Sequence, residues 1–225
     1  DVAEALNLIK DGDSIVTTSA GVVGYPDYII KCLEDRFLGT GHPCALTLYA
    51  GCGHGNPIRY GGDDRFGHPG FLKRTIGSHP DVVPHLRKLI ENNEIEGYVL
   101  PQGVMQQLLR CAAAKMPGLL TKIGIGTYVD PRQDGGKLNS ITTEDLVELQ
   151  VIDGEEYLFY KTIPINVAVI RGTCADERGN ISIEEEALKL ELLEAALAAK
   201  ASGGKVIVQV KHVVANNSIK AKDVF

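Results

Sequence analysis

The sequence predicts an α/β fold: a mostly parallel sheet with helices on both faces, plus a projecting β-hairpin. Three observations carry this. Short apolar runs alternate along the chain with segments of helical periodicity, glycine-rich loops follow the apolar runs, and one Asp-Gly pair separates two strand-like runs. Strands separated by helices pair as parallel neighbours, and their apolar runs suit a sheet covered on both faces.

Ala3, Leu6 and Ile9 recur at helical spacing, and Gly12 ends that helix. Residues 14–18 (SIVTT) read as a strand that runs into the loop Ser19-Ala20-Gly21-Val22-Val23-Gly24-Tyr25-Pro26. Pro26 suits a first helical turn, and Ile29, Ile30, Leu33 and Phe37 mark one face of the helix behind it. A second strand spans residues 45–50 (ALTLYA), and a glycine-rich run covers residues 51–70. After Pro80, the residues Val82, Val83, Leu86, Leu89 and Ile90 predict a helix. A short strand, GYVL at residues 97–100, leads through Pro101-Gln102-Gly103 into a helix that stops before Pro117. Residues 146–152 and 155–161 flank Asp153-Gly154, a strong signal for a hairpin that projects from the main sheet. NVAVI at 166–170 resumes a buried strand. A helix over about 186–201 follows, Gly203 and Gly204 end it, and residues 206–210 form the last core strand.

The net charge of −6, without a basic block, argues against nucleic acid as a partner. No apolar stretch reaches the roughly 18 residues of a membrane span, and the acidic opening DVAEALNLIK is no signal peptide. Five cysteines without a CxxC pair fit a reducing cytoplasm. The chain lacks an initiator Met, opens directly on a helix pattern and closes on KAKDVF with no terminating element. The expectation is a segment of a longer chain.

Ligands of such sheets bind outside the carboxyl ends of the strands, and three loops have that placement. In Ser19–Pro26, the glycines let the backbone approach a ligand and the next helix offers free N–H groups; a tight strand-to-helix turn is the plainer reading. In Pro101-Gln102-Gly103, the Gln102 amide is a donor for an oxygen that turns negative during acyl transfer, against the plainer reading of a solvated helix start. In the glycine loop 124–137, Arg132 suits a carboxylate or phosphate, against a surface loop pinned by Asp130-Pro131. His42, Cys44, Cys52, His54, His68 and His79 crowd one region, but their spacing matches no zinc pattern, so no metal is expected. Glu184, Glu185 and Glu186 read as acids at a helix start rather than as a catalytic pair.

Taken in order, LIKDGDSIVTTS, DRFLGTG, GHPGFLKRTIGSH, PQGVMQQLLR, TKIGIGTYVDPRQDGGKLN, TTEDLVEL, EEYLFYK, IRGTCADERGNIS and GGKVIVQVKHVV resemble family I CoA-transferases, of the single-chain acetate or propionate type. The resemblance covers essentially the whole chain. It implies that residues 1–225 are an amino-terminal, alpha-subunit-like domain that lacks the carboxyl-terminal catalytic half and is inactive alone.

The implied reaction moves CoA between short-chain acyl-CoA and carboxylates such as acetate, propionate or butyrate. A glutamate attacks the thioester to give an acyl-glutamyl anhydride, and CoA thiolate then forms an enzyme–CoA thioester. By the same resemblance Gln102 supplies an oxyanion-hole donor with Gly103 beside it, and Ser19, Ala20, Gly21, Val22, Val23 and Gly24 line the acyl pocket. The nucleophilic Glu lies outside this chain. Glu177-Arg178-Gly179 mimics its motif but matches a structural turn of the family's first half. Coenzyme A is implied as substrate, with no permanently bound cofactor. The partners implied are the carboxyl-terminal half and further copies in a cytoplasmic homo-oligomer. Hydrolysis of the acyl-CoA by the same family, and a non-enzymatic small-molecule-binding domain of related fold, are the alternatives.

Overall fold

The computed structural model describes residues 1–219. Its centre is a six-stranded sheet in the order β11-β8-β1-β2-β3-β4, every neighbouring pair parallel. The strands are β1 (Ser14–Thr17), β2 (Leu46–Ala50), β3 (Leu72–Gly77), β4 (Glu96–Val99), β8 (Val167–Arg171) and β11 (Lys205–Gln209).

Alternation along these strands divides the core in two. Ile15, Leu46, Leu48, Val167 and Val169 face one cluster. It is closed by α1 (Val2–Leu6), α2 (Asp27–Thr40) and α3 (Pro84–Glu91), through residues such as Leu33 and Leu86. Val16, Tyr49, Ala168 and Ile170 face the other, which takes α4 (Gln102–Ala113) and α5 (Leu192–Ala201) through Leu108 and Ala195.

The hairpin appears as expected, β6 (Val147–Ile152) against β7 (Glu155–Lys161), around Asp153-Gly154 with both at positive φ. It carries a third strand, β5 (Gly118–Thr121), and packs Leu158 and Tyr160 into the second core cluster. A third sheet joins β9 (Cys174–Asp176), β10 (Ile181–Ser182) and β12 (His212–Val214).

Some elements depart from the sequence reading. The strand β3 lies where the glycine-rich run and a helix leave a gap, because Lys73 and Arg74 interrupt its apolar pattern. Arg74 is used across the sheet, with Nε 2.5 Å from Glu96 on β4. The last long helix begins at Leu192 rather than near residue 186. Glu184, Glu185 and Glu186 therefore do not start it: Glu185 pairs with Lys211 at 2.6 Å and Glu186 with Arg171 at 3.0 Å. Glu177-Arg178-Gly179 is the turn between β9 and β10, where Asp176 accepts from the amides of Arg178 and Asn180. The closing KAKDVF lies outside the described residues.

Candidate functional site

The chain runs from β1 through β2 and β3 to β4 on one side, then places β8 and β11 on the other side of β1. The reversal puts the topological switch point at the carboxyl ends of β1 and β8, where doubly wound sheets hold their ligands. Residues 19–24 stand there. Ala20 and Val23 exchange both backbone hydrogen bonds, at 3.2 and 3.1 Å, and Ser19 Oγ donates to the Gly21 carbonyl at 2.5 Å. The loop is thus a closed four-residue turn. Gly21 at φ 62 supplies the left-handed backbone that a primed turn needs at its first central position. Its tip turns Val22 and Val23 outward, 51% and 42% exposed.

A buried hub fixes the base of this turn. Asp63, on the 3₁₀ turn Gly62–Phe66, accepts from Tyr25 Oη at 2.6 Å and from Thr17 Oγ1 at 3.0 Å. His54 Nδ1 lies 2.8 Å from Thr17 Oγ1 and 3.0 Å from Asp63 Oδ2. Thr17 ends β1 and Tyr25 follows Gly24, so one carboxylate clamps both ends of the turn. Burial, and then the Asp63 charge, push the Tyr25 phenol well up, so it stays a donor. Beside the hub, Arg65 binds Asp27 at 2.9 Å and Glu34 at 3.0 Å, tying the loop from β2 to α2. Val22, Tyr25, Asp27, Asn56, Arg59 and Tyr60 help line a cavity of about 300 Å³ above this cluster.

The helix after the turn differs from expectation. The first amides of α2 are not free: Tyr28 and Ile29 N–H donate to Gln209 Oε1 at 3.1 and 3.2 Å. A β11 side chain caps the helix, so α2 offers those amides to no ligand. The start of α4 is the opposite case. Pro101 precedes it without a side-chain cap, and Gln102 and Gly103 occupy its exposed first turn. Its leading N–H groups carry the positive end of a 12-residue helix. Tyr49 Oη on β2 donates to the Met105 carbonyl at 2.6 Å and holds this turn over the sheet. Gln106, one turn on from Gln102, borders a cavity of about 200 Å³ with Arg110, Leu190, Glu191 and Glu194. Leu190 Cδ1 lies 3.4 Å from where a Cβ on Gly24 would stand, so this segment links α4 to the turn after β1.

The third loop is consumed by the fold. Arg132 binds Asp130 at 2.8 Å and Glu156 at 2.9 Å. The Arg132 guanidinium, with the Gly126 and Arg132 amides, holds the buried Asp130 carboxyl well below the usual carboxylate range. Val99 N–H donates to the Gly136 carbonyl at 2.8 Å and Leu138 N–H to Gly97 at 2.9 Å, so the loop covers the outer edge of β4. The histidines and cysteines grouped in the sequence also part company. His68 pairs with Glu34 at 2.8 Å, and His79 Nδ1 lies 2.7 Å from Ser78 Oγ. Among the described residues, the one potential metal-ligand trio is Asp11, His42 and Cys44, exposed or half-buried before β1 and β2 and remote from these loops. All five cysteines are free thiols.

Sequence reasoning missed Asp63, and it gave His54 no place in this hub. It missed Glu191 as well, one of two acids, with Glu194, in the otherwise apolar run LELLEAALAA.

The chain matches the model of the Coenzyme A transferase family over residues 1–225. It is 46% identical to caffeate CoA-transferase of Acetobacterium woodii, over 98% of this chain and 42% of that protein. Its structure superposes on an acyl-CoA transferase of Escherichia coli O157:H7, solved as a thioester complex with CoA, with a TM-score of 0.96 and 38% identity. That match covers 100% of this chain and 46% of the solved one. One of the subunits of a succinyl-CoA:3-ketoacid coenzyme A transferase of Helicobacter pylori is 25% identical over 89% of this chain and 76% of its own length. The chain thus spans under half the length of the first two and most of the third. By its sequence and its fold alike, it belongs to the Coenzyme A transferase family.

Proposed function

We propose that residues 1–225 are the amino-terminal, alpha-subunit-like half of an acyl-CoA:carboxylate CoA-transferase, which exchanges CoA between short-chain acyl-CoA and carboxylates. The observation that carries this is the exposed Gln102 at the uncapped start of α4, on the edge where the turn 19–24 presents its two valines. A thioester carbonyl becomes a tetrahedral oxyanion when attacked. The Gln102 amide and the N–H groups around Gly103 are donors suited to meet that charge. The turn from Ser19 to Gly24 forms the floor for the acyl group, with Val22 and Val23 as a small apolar wall that favours short chains.

The nucleophile belongs to the carboxyl-terminal half. Asp63 is buried and occupied by three partners, and Glu191 is buried, so neither is free to attack a thioester in solution. An acyl-glutamyl anhydride and then a glutamyl–CoA thioester form on a glutamate beyond residue 225. The thioester complex with CoA of the Escherichia coli relative supports that intermediate. The Helicobacter pylori relative, which is one of an enzyme's separate subunits, supports a two-part enzyme. A cytoplasmic homo-oligomer is part of the same reading and rests on the resemblance. Five free thiols, and the absence among the described residues of a helix long and apolar enough to cross a membrane, agree with it.

The test is CoA exchange by the protein carrying both halves, with products followed with and without an added carboxylate. Exchange that depends on the acid supports the transferase; release of free CoA without it indicates hydrolysis. A full-length protein that neither exchanges CoA nor forms a CoA adduct with acetyl-CoA would sink the proposal.

A further inference from the structure

Asp11 and Cys44 stand before the amino ends of β1 and β2, whereas the turn 19–24 follows the carboxyl end of β1. Backbone bonds lock the two approaches together. Gly12 N–H donates to the Cys44 carbonyl at 2.9 Å, and Thr47 N–H donates to the Asp13 carbonyl at 2.9 Å. Asp11 Oδ1 accepts from the Cys44 N–H at 2.9 Å, which leaves Oδ2 for another partner. His42, two residues before Cys44, has its own N–H held by Thr40 Oγ1 at 3.1 Å. Three side chains of different chemistry therefore converge from backbone that is already fixed.

Their ligand atoms lie close together. Asp11 Oδ2 is 2.8 Å from His42 Nδ1, and Cys44 Sγ is 3.9 Å from that same nitrogen. All three atoms fall within 4.8 Å of one another. Around a tetrahedral zinc, with bonds of about 2.0–2.3 Å, two ligand atoms stand about 3.3–3.6 Å apart. The two measured separations bracket that spacing, so small side-chain shifts bring all three atoms onto one ion. The Asp11 and His42 side chains are 50% and 62% exposed, which gives them that freedom and gives an ion its way in.

A hydrogen bond between Asp11 and His42 accounts for those two residues alone. It leaves the Cys44 thiol with no more than a weak contact to the ring. A metal ion uses all three. The donor set also selects the ion: thiolate and imidazole favour borderline-soft zinc over magnesium or calcium, which take oxygen ligands. Three protein ligands leave the fourth tetrahedral position to water, and the thiol proton passes to solvent on binding. The sequence groups Cys44 with Cys52 and His54, whereas the structure gives it Asp11, 33 residues earlier.

We propose that Asp11, His42 and Cys44 form a reversible zinc-binding site that clips the loop before β1 to the loop before β2. The site stands apart from the proposed CoA chemistry at the other end of these strands. The test takes the protein that carries both halves, reduced and stripped of metal, and titrates it with cobalt(II) as a coloured stand-in for zinc. Wild type is expected to show a thiolate-to-cobalt charge-transfer band and the visible bands of a tetrahedral site, with zinc bleaching both. In Cys44→Ser the charge-transfer band falls by one equivalent, whereas Cys32→Ser leaves it unchanged. His42→Ala and Asp11→Asn weaken binding by roughly tenfold or more, since losing even a hydrogen-bond partner of a ligand costs that much. Equal cobalt spectra from wild type and Cys44→Ser would overturn the proposal. A second readout needs no variant: zinc should slow alkylation of Cys44, followed by peptide mapping, by roughly tenfold or more, because a metal-bound thiolate is not free to attack. The same alkylation rate with and without zinc also overturns it. Neither readout uses CoA exchange, so both hold whatever becomes of the transferase reading.

Discussion

Two glycine-rich loops of this protein look alike in the sequence and differ in what they leave unspent. The loop 124–137 carries Arg132, the more obvious anion ligand, yet that guanidinium is committed to Asp130 and Glu156, and the loop's backbone is committed to the edge of β4. The turn 19–24 carries no charge. It closes on itself through Ala20 and Val23, turns two valines outward, and follows Thr18, whose buried hydroxyl has no hydrogen-bond partner among the described residues. Glycines mark where backbone bends; the polar groups that folding leaves unsatisfied mark where chemistry or recognition remains to be done. The same contrast separates two helix starts. The cap from Gln209 closes α2, whereas α4 begins uncapped with Gln102 in its first turn.

Mutations on either side of this contrast have separate signatures. The largest expected effect is on catalysis. Gln102→Ala in the full-length protein lowers kcat by about 10²–10³, the cost of losing one oxyanion donor, with little change in stability. Steady-state exchange assays beside a denaturation curve check both halves of that statement.

Next is the hub beneath the turn. Asp63→Ala removes the acceptor shared by Tyr25 Oη, Thr17 Oγ1 and His54 Nδ1 and leaves the buried Tyr25 Oη without its partner. It is expected to cost about 2–4 kcal/mol of folding stability, as a buried charged acceptor with several donors implies. A urea titration that finds under half a kcal/mol would remove the clamp from the account.

Asp130→Asn probes the other loop and should lower stability while exchange per folded molecule stays near wild type. The sign with pH follows from the depressed carboxyl. Its contribution is fully present above the unfolded carboxylate value of about 3.9, and it is lost as pH falls from there towards the lower folded value. The stability gap between wild type and variant should thus be constant near neutrality and shrink below about pH 4. A gap that widened on acidification would contradict the Asp130–Arg132 assignment.

The smallest effect is expected at the tip of the turn. Val22→Ala or Val23→Ala shifts preference towards longer acyl chains by about tenfold, the low end of the scale for a methylene in an apolar pocket. The ratio of butyrate to acetate turnover reads it directly.

Much of this was legible in the sequence, for identifiable reasons. The strands β1, β2 and β8 are buried on both faces and read as plain apolar runs, the edge strand β11 keeps the apolar run Val206-Ile207-Val208, and Asp153-Gly154 announces its own hairpin. The strand β3 escaped because Lys73 and Arg74 break its pattern, and Arg74 gains its carboxylate partners only from distant segments, Glu96 and Glu144. Both candidate loops could be placed on the sheet's carboxyl edge from their position after strands. That α2 is capped, and that Glu191 comes to lie against Gly51, could not be seen. Gln209 lies 181 residues from Tyr28, and such juxtapositions exist only after the sheet has assembled. The start of α5 was misplaced because three consecutive glutamates imitate a helix N-terminus, while Arg171 and Lys211 draw two of them elsewhere.

On the proposed reading, this chain supplies the acyl floor and an oxyanion donor but not the nucleophile. Peptide mapping by mass spectrometry, after the protein with both halves has reacted with acetyl-CoA, tests it most directly. The expected result is a CoA adduct on one glutamate beyond residue 225 and none on residues 1–225, with the adduct level reduced in Gln102→Ala. An adduct on Glu191, or on any other carboxylate of these 225 residues, would contradict it.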